Sequence, residues 1–362
     1  MIKLITYILV ITILIILINL HKNNIKEYFN SFKSITVSVS PKVFKPIVIH
    51  SGNVNGLYYN YIKTLKNLFP LKNIRSKGSI NNINNLLLDN GDMVIAQSDL
   101  ALDYYIGKTK KYSNNSDLRL VSVLFNESPI LLVHNDSKIN NWMDLRGKNI
   151  AIGNYGSGSY FIAKELLKLA DINTKDINII DIDIFNIDLI NKSLLSRQID
   201  AIFYMIENPN NFIKKISSKN FINLLGTQGI NPNLIKSRFP TWNKNRVLMS
   251  DYNIVGNKYL LNTFSSPVYL LAKKNYNNKY VYQITETIMS NRLFIINNIK
   301  PRFKKVLEKI PPSYQIGTDD SNEIPYHLGT KKFLIDIGMI SYNQNPKCYL
   351  FAGSNICNEE IL

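Results

Sequence analysis

A five-residue run, Met93-Val-Ile-Ala-Gln97, is followed at once by Ser98-Asp99 and a helical stretch reaching Ile106, and much of the chain repeats that order. A short run that is apolar throughout, taken as a strand, must be covered on both faces, and a helix after each strand supplies the cover. VFKPIVIHSG (43–52) precedes a helix from Gly56 to about Leu68, and a short strand at Ile74 precedes a helix over 79–89. KNIAIG (148–153) leads into GSGSYFIAKELLKLA, INIID (177–181) into a helix near 187–196, and IDAIFY (199–204) into one near 209–217. SSPVYLLAKK (265–274) comes before a helix at 279–290, while LRLVSVLF (118–125) and SPILLVHN (128–135) read as two consecutive strands. The alternation predicts an α/β fold with a largely parallel sheet. With 362 residues, 45% of them hydrophobic and 11% aromatic, the core needs neither a disulfide scaffold nor a structural metal.

Several function classes drop out. The chain carries 43 Lys+Arg against 26 Asp+Glu, a net charge of +17. Those residues are spread through a sequence rich in Lys, Asn, Ile and Tyr instead of forming one basic segment, and no nucleic-acid-binding motif accompanies them. Nucleic acid is therefore not an expected partner. His21, His50, His134 and His327 lie far apart with no zinc-binding spacing, so no metal or other cofactor is expected. The Gly156-Ser-Gly-Ser159 segment is not a nucleophile elbow, no nucleophile–base pair stands out, and the expectation is a protein without catalysis. Cys348 and Cys357 close the short loop CYLFAGSNIC, a disulfide in an oxidising compartment and two thiols in a reducing one.

The N-terminus sets the compartment. After Met1-Ile-Lys3, the stretch from Leu4 to Leu20 is almost wholly apolar, and a helix of about 17 residues just reaches across a bilayer. Asn19-Leu20-His21-Lys22 offers no small-residue cleavage site, which favours an uncleaved signal anchor over a cleaved signal peptide. Residues 1–20 are thus a membrane anchor or signal segment, and the polar residues 21–45 a tether.

Three polar loops stand at the carboxyl ends of the apolar runs. Gly153-Asn-Tyr-Gly156-Ser157-Gly158-Ser159 closes a strand and opens an amphipathic helix whose free N–H groups suit a carboxylate or phosphate. Gly52-Asn-Val-Asn-Gly56-Leu-Tyr58-Tyr59 and Ala96-Gln97-Ser98-Asp99 share the design. Polar loops converging at the carboxyl ends of parallel strands form a binding crevice, whereas each alone would be an ordinary turn.

The order of these segments resembles the TAXI family, the solute-binding proteins of tripartite ATP-independent periplasmic (TRAP) transporters. The resemblance rests on Gly56-Leu-Tyr58-Tyr59, Gly78-Ser79-Ile-Asn-Asn82, Gln97-Ser98-Asp99, Tyr105-Ile-Gly107, Asp144-Leu-Arg-Gly147-Lys148, the Gly153–Ser159 loop, Ile199-Asp200-Ala201 and Pro325-Tyr-His327-Leu-Gly329. It covers roughly residues 46–340. It implies a two-lobed periplasmic-binding-protein fold of type II, with residues 46–133 plus 250–362 in one lobe and 134–249 in the other. It further implies a periplasmic receptor, held at the inner membrane by its N-terminal segment, that passes a small organic anion or amino acid to TRAP permease subunits. The residues it points to as ligand-binding are Tyr58, Tyr59, Asn82, Gln97, Ser98, Gly156, Ser157, Gly158, Ser159, Glu207 and Pro209.

Three positions depart from that family. Asn55 replaces a glycine, Thr330 an alanine, and Glu207-Asn-Pro209 stands where Gly-x-Pro is usual. Glu207 brings a carboxylate toward the cleft, which disfavours a dicarboxylate and suits an amine on the solute. The departures leave a second reading open: a membrane-tethered surface antigen or sensor with a degenerate cleft.

Overall fold

The structure is a computed structural model that describes residues 45–108, 117–155, 157–184, 186–217, 222–252, 260–309, 324–342, 348–351 and 354–357. The expected anchor, residues 1–20, and the expected tether, residues 21–45, apart from Lys45, lie outside the described residues. Among those described, no helix is long and apolar enough to cross a membrane.

The chain leaves each of its first three strands, β1 (Ile47–His50), β2 (Leu71–Ile74) and β3 (Met93–Gln97), and returns over the sheet. Helices α1 (Leu57–Leu65), α2 (Ser79–Leu87) and α3 (Ser98–Tyr105) make the returns, and the strands pair in parallel in the order β2-β1-β3. β4 (Leu118–His134) then crosses to a second sheet made of β5 (Asn149–Ala151), β6 (Asn178–Ile179), β7 (Ala201–Ile206) and β8 (Ile222–Leu225). Its covering helices are α4 (Gly158–Leu169), α5 (Ile187–Leu195), α6 (Asn211–Ser217) and α7 (Pro232–Arg238). β9 (Asn243–Leu248) and β10 (Leu260–Lys273) carry the chain back, and α8 (Asn278–Ser290), α9 (Arg292–Asn298), α10 (Pro301–Glu308) and α11 (Leu328–Asp336) complete the first lobe. A small sheet of β11 (Ile340–Tyr342), β12 (Cys348–Phe351) and β13 (Ser354–Cys357) follows, its register setting Cys348 opposite Cys357.

The two crossing strands explain the architecture. Residues up to Glu127 of β4 pair with β10, and residues from Ser128 onward pair with β7 and β8. β10 likewise pairs with β9 through Ser265, and with β4 and β3 from Ser266 and Val268 on. Alternation then places neighbouring residues in different cores. Met93, Ile95, Val268 and Leu270 enter one core of the first lobe, and Val94, Ala96, Tyr269 and Leu271 the other. Leu131, Ala201 and Phe203 face one core of the second lobe, and Ile130, Leu132, Ile202 and Tyr204 its opposite. Each lobe is therefore a sheet covered on both faces, the two-lobe periplasmic-binding-protein fold.

Two expectations need correction. The runs 118–125 and 128–135 form one continuous strand, because Asn126 and Glu127 keep pairing with Pro267 and Ser266. The sheet is also mixed, since both crossing strands run antiparallel to their neighbours.

Candidate functional site

The lobes meet where the carboxyl end of β3 faces the start of α4. Gly158 lies directly against Gln97: a Cβ at that position would fall on Gln97 Oε1, so the Gln97 side chain would have to shift. Gly78 approaches from the loop before α2 with φ +114°, a conformation that favours glycine, and a Cβ placed on it would lie 3.9 Å from the Gly158 nitrogen. Phe161, one turn into α4, packs against cores of both lobes.

On the first-lobe side, Gln97 Nε2 donates to Glu127 Oε2 at 2.9 Å, and the Tyr58 hydroxyl donates to the same oxygen at 3.0 Å. Gln97 Oε1 is buried and has no hydrogen-bond donor among the described residues. On the second-lobe side, Glu207 follows β7 directly, and its Oε1 accepts from Asn210 Nδ2 at 2.7 Å. Gln97, Glu127 and Glu207 are only 2%, 6% and 4% exposed.

Burial pushes the Glu127 carboxyl up to about 8; the Glu207 and Asp99 charges add to the rise, while hydrogen bonds from Gln97 and Tyr58 oppose it. Burial likewise lifts Glu207 to about 7, against its own backbone amide, Asn210 and the positive Arg302. Burial raises Asp99 to about 6, and the Ser266 hydroxyl offsets part of that. Arg302 reaches this region from α10 and also donates to the Asn55 carbonyl.

The structure distributes the expected site residues unevenly. Tyr58, Gln97, Gly158 and Glu207 come together at the seam between lobes. Ser157 stands beside them as the N-cap of α4, its hydroxyl accepting from the Tyr160 amide at 3.2 Å. The amides of Gly158 and Ser159 have no acceptor among the described residues, so an anion-seeking helix terminus remains there. The Ser159 hydroxyl is already used, accepting from the Met205 amide at 3.2 Å. Asn82 spends both amide hydrogens on the carbonyls of Ser51 and Ile95, fastening β1 to β3. Ser98 belongs to a buried chain through Thr241 and Ser266 to Asp99, beside the point where β10 changes partners. Tyr59 is half-buried, and its carbonyl accepts from Asn73. Pro209 follows a cis peptide bond, next to Asn208 and Asn210, which share the Tyr252 hydroxyl. Gly156 lies outside the described residues.

Glu127 is the residue that the sequence reading missed. A lone carboxylate inside a long strand-like run was the available signal. Among the described residues, no cluster of His, Cys, Asp and Glu is arranged to hold a metal ion.

Solved structures similar to the chain include a protein of Bordetella bronchiseptica RB50, with 13% identity, 80% of this chain and 97% of that one covered, and a TM-score of 0.48. The alkanesulfonate-binding protein SsuA of Xanthomonas axonopodis pv. citri bound to MOPS shares 15% identity over 76% of this chain and 86% of its own, with a TM-score of 0.41. A putative L-cystine ABC transporter protein of Listeria monocytogenes shares 15% identity over 74% and 97%, with a TM-score of 0.42. Residues 49–338, most of the sequence, match the NMT1-like family, and the chain belongs to that family of periplasmic solute-binding proteins.

Proposed function

We propose that this protein is an extracytoplasmic receptor that captures a small carboxylate or amino-acid-like solute between its lobes and delivers it to a TRAP-type permease. The observation that carries the reading is the contact of Gln97 with Gly158. There a buried, donor-seeking side chain of one lobe meets the open N-terminus of α4 in the other. A polar solute seated at this seam would be touched by both lobes and would favour their closed arrangement. Its carboxylate would take the amides of Gly158 and Ser159, and its other polar groups would meet Gln97 and Tyr58. The N-terminal apolar segment would hold the receptor at the outer face of the inner membrane, near its permease.

A thermal-shift screen of carboxylates and amino acids tests the reading. A solute that binds only the folded protein adds about 2.7 kcal/mol of stability at a hundredfold excess over Kd. Silence across a wide panel would favour the tethered antigen or sensor, the reading to which Asn55 and Glu207 incline. Resistance of the full-length protein to alkaline carbonate extraction would support the anchor. A mature N-terminus beyond residue 20 in the soluble periplasmic fraction would overturn it.

A further inference from the structure

Glu127 stands where β4 exchanges one sheet for the other, a position that an apolar residue could fill without desolvating a charge. Its Oε2 takes two hydrogen bonds, from Gln97 and Tyr58, so the side chain is held in one orientation. Glu207 approaches from the opposite lobe: Ser128 pairs with Ile206 in the antiparallel β4–β7 ladder, so Glu127 and Glu207 are the next residues in register, and Glu207 is itself fixed by Asn210. Among the described residues neither carboxylate forms an ion pair. An independent observation comes from Gln97: its Oε1 is buried, lacks a donor among the described residues, and is aimed at the start of α4, into the seam. An acceptor without a donor thus stands beside two carboxyl groups without an ion pair, a combination that an ammonium or guanidinium group would satisfy.

We infer that the seam holds the positive end of the solute, an alkylammonium or guanidinium group seated between Glu127 of the crossing strand and Glu207 of the second lobe and donating to Gln97 Oε1. This rests on the solute-receptor reading above and narrows it to amines and amino acids, excluding dicarboxylates. A cation shared by the two carboxylates draws the lobes together, because one partner belongs to each side of the seam. Other charged or titratable groups face the pair. Tyr58 on α1 and Asp99 on α3 face Glu127, while Arg302 on α10 and Tyr252 in the turn after β9 face Glu207, with Asp251 next to Tyr252. Tyr58 and Tyr252 are both raised by burial, so they stay neutral near pH 7. Of these groups Arg302 alone is positive, and it is engaged by the Asn55 carbonyl. Burial holds both carboxyls well above the usual range, so an arriving cation would displace protons from them.

Calorimetry on the full chain tests this with agmatine, putrescine, L-arginine, L-glutamate and succinate, at about pH 7.5 in buffers of different ionisation enthalpy. The expected result is binding of at least one amine with net proton release, and succinate binding at least tenfold weaker. Glu127→Gln and Glu207→Gln should each weaken that amine at least tenfold and reduce the protons released. Preference for succinate, or amine binding unmoved by either substitution, overturns the inference while leaving the receptor reading in place. Proton release and ligand preference in the unsubstituted protein decide the matter even if a variant fails to fold. If neither these probes nor a wide solute panel binds, the receptor reading and the inference fall together.

Discussion

Arg238 holds Asp103 by two parallel hydrogen bonds, Nη1 to Oδ1 at 3.2 Å and Nη2 to Oδ2 at 2.8 Å, and so joins α7 of the second lobe to α3 of the first. The same guanidinium donates through Nε to Glu165 on α4 at 2.6 Å and lies over the rings of Phe161 and Phe239. A planar fork suits this arrangement in a way a lysine could not. Asp103→Asn keeps the shape but removes one charge, and should destabilise the chain by about 1–3 kcal/mol. Arg238→Met should also shift the lobes toward an open arrangement. Urea midpoints measure the first effect, and an increased radius of gyration in small-angle scattering the second. An unchanged radius would mean that the pair does not hold the lobes together.

Acidity should act on the carboxylates of the seam. The folded chain holds Glu127 at about 8 and Glu207 at about 7, against 4.5 for an ordinary glutamate, so between those values it binds more protons than the unfolded chain. Their contribution to stability is therefore full below about pH 4.5 and lost as pH rises through 7 to 8. His327 works in the opposite sense: burial lowers it from 6.5 to about 4, so its contribution is present above 6.5 and lost as pH falls toward 4. Glu127→Gln should consequently gain stability over the unsubstituted protein between about pH 5 and 8, by on the order of 1–3 kcal/mol. Denaturation midpoints across that range would show the difference widening. A constant difference would mean that Glu127 titrates as in water.

Gly329 packs where no side chain fits. A Cβ there would fall on the Asn278 carbonyl oxygen and lie 2.8 Å from the Tyr282 amide nitrogen, and neither backbone group can swing aside. Gly329→Ala should cost about 2–3 kcal/mol by forcing α11 away from α8. The check is a lowered urea midpoint with little change in the affinity of any ligand found. Retention of the original midpoint would show that the helices give way freely.

The cysteine register bears on export. With Cys348 set opposite Cys357 across β12 and β13, a disulfide requires little backbone movement. Protein recovered from an oxidising compartment should show no alkylatable thiol by mass spectrometry before reduction, and two after it. Two reactive thiols in the unreduced sample would refute the pairing.

Much of the first lobe was legible because local pattern and tertiary role coincide there. Met93–Gln97 is a strand buried along its whole length, as its composition implies; Ser79 begins a helix after a polar loop, and Ser98 begins one directly after that strand. The single span of β4 was not legible. Asn126-Glu127-Ser128 interrupts an apolar run, and a polar break ordinarily signals a turn. Only the pairing with β10 shows that the break is where one strand serves two sheets. Residue type alone also did not show that Asn82, Ser98 and Ser159 have hydrogen-bond partners within the fold, in backbone groups and buried neighbours. Pro325-Tyr-His327-Leu-Gly329, which suggested kinship, turns out to be structural. His327 caps α11 through Nδ1, accepting from the Gly329 amide at 3.1 Å.

Two strands that run unbroken through both lobes act as an axle, not a joint. Any swing of the second lobe twists β4 and β10 about points near Glu127 and Ser266, where displacement is smallest, and Glu207, one residue past the Ile206 that faces Ser128, lies close to that axis. The contacts of Glu127 with Gln97 and Tyr58 lie on the stationary side and should survive opening, so half of the seat stays assembled before any solute arrives. Hydrogen exchange should accordingly find the amides flanking Glu127 equally protected with and without ligand, and those at the start of α4 protected only with it.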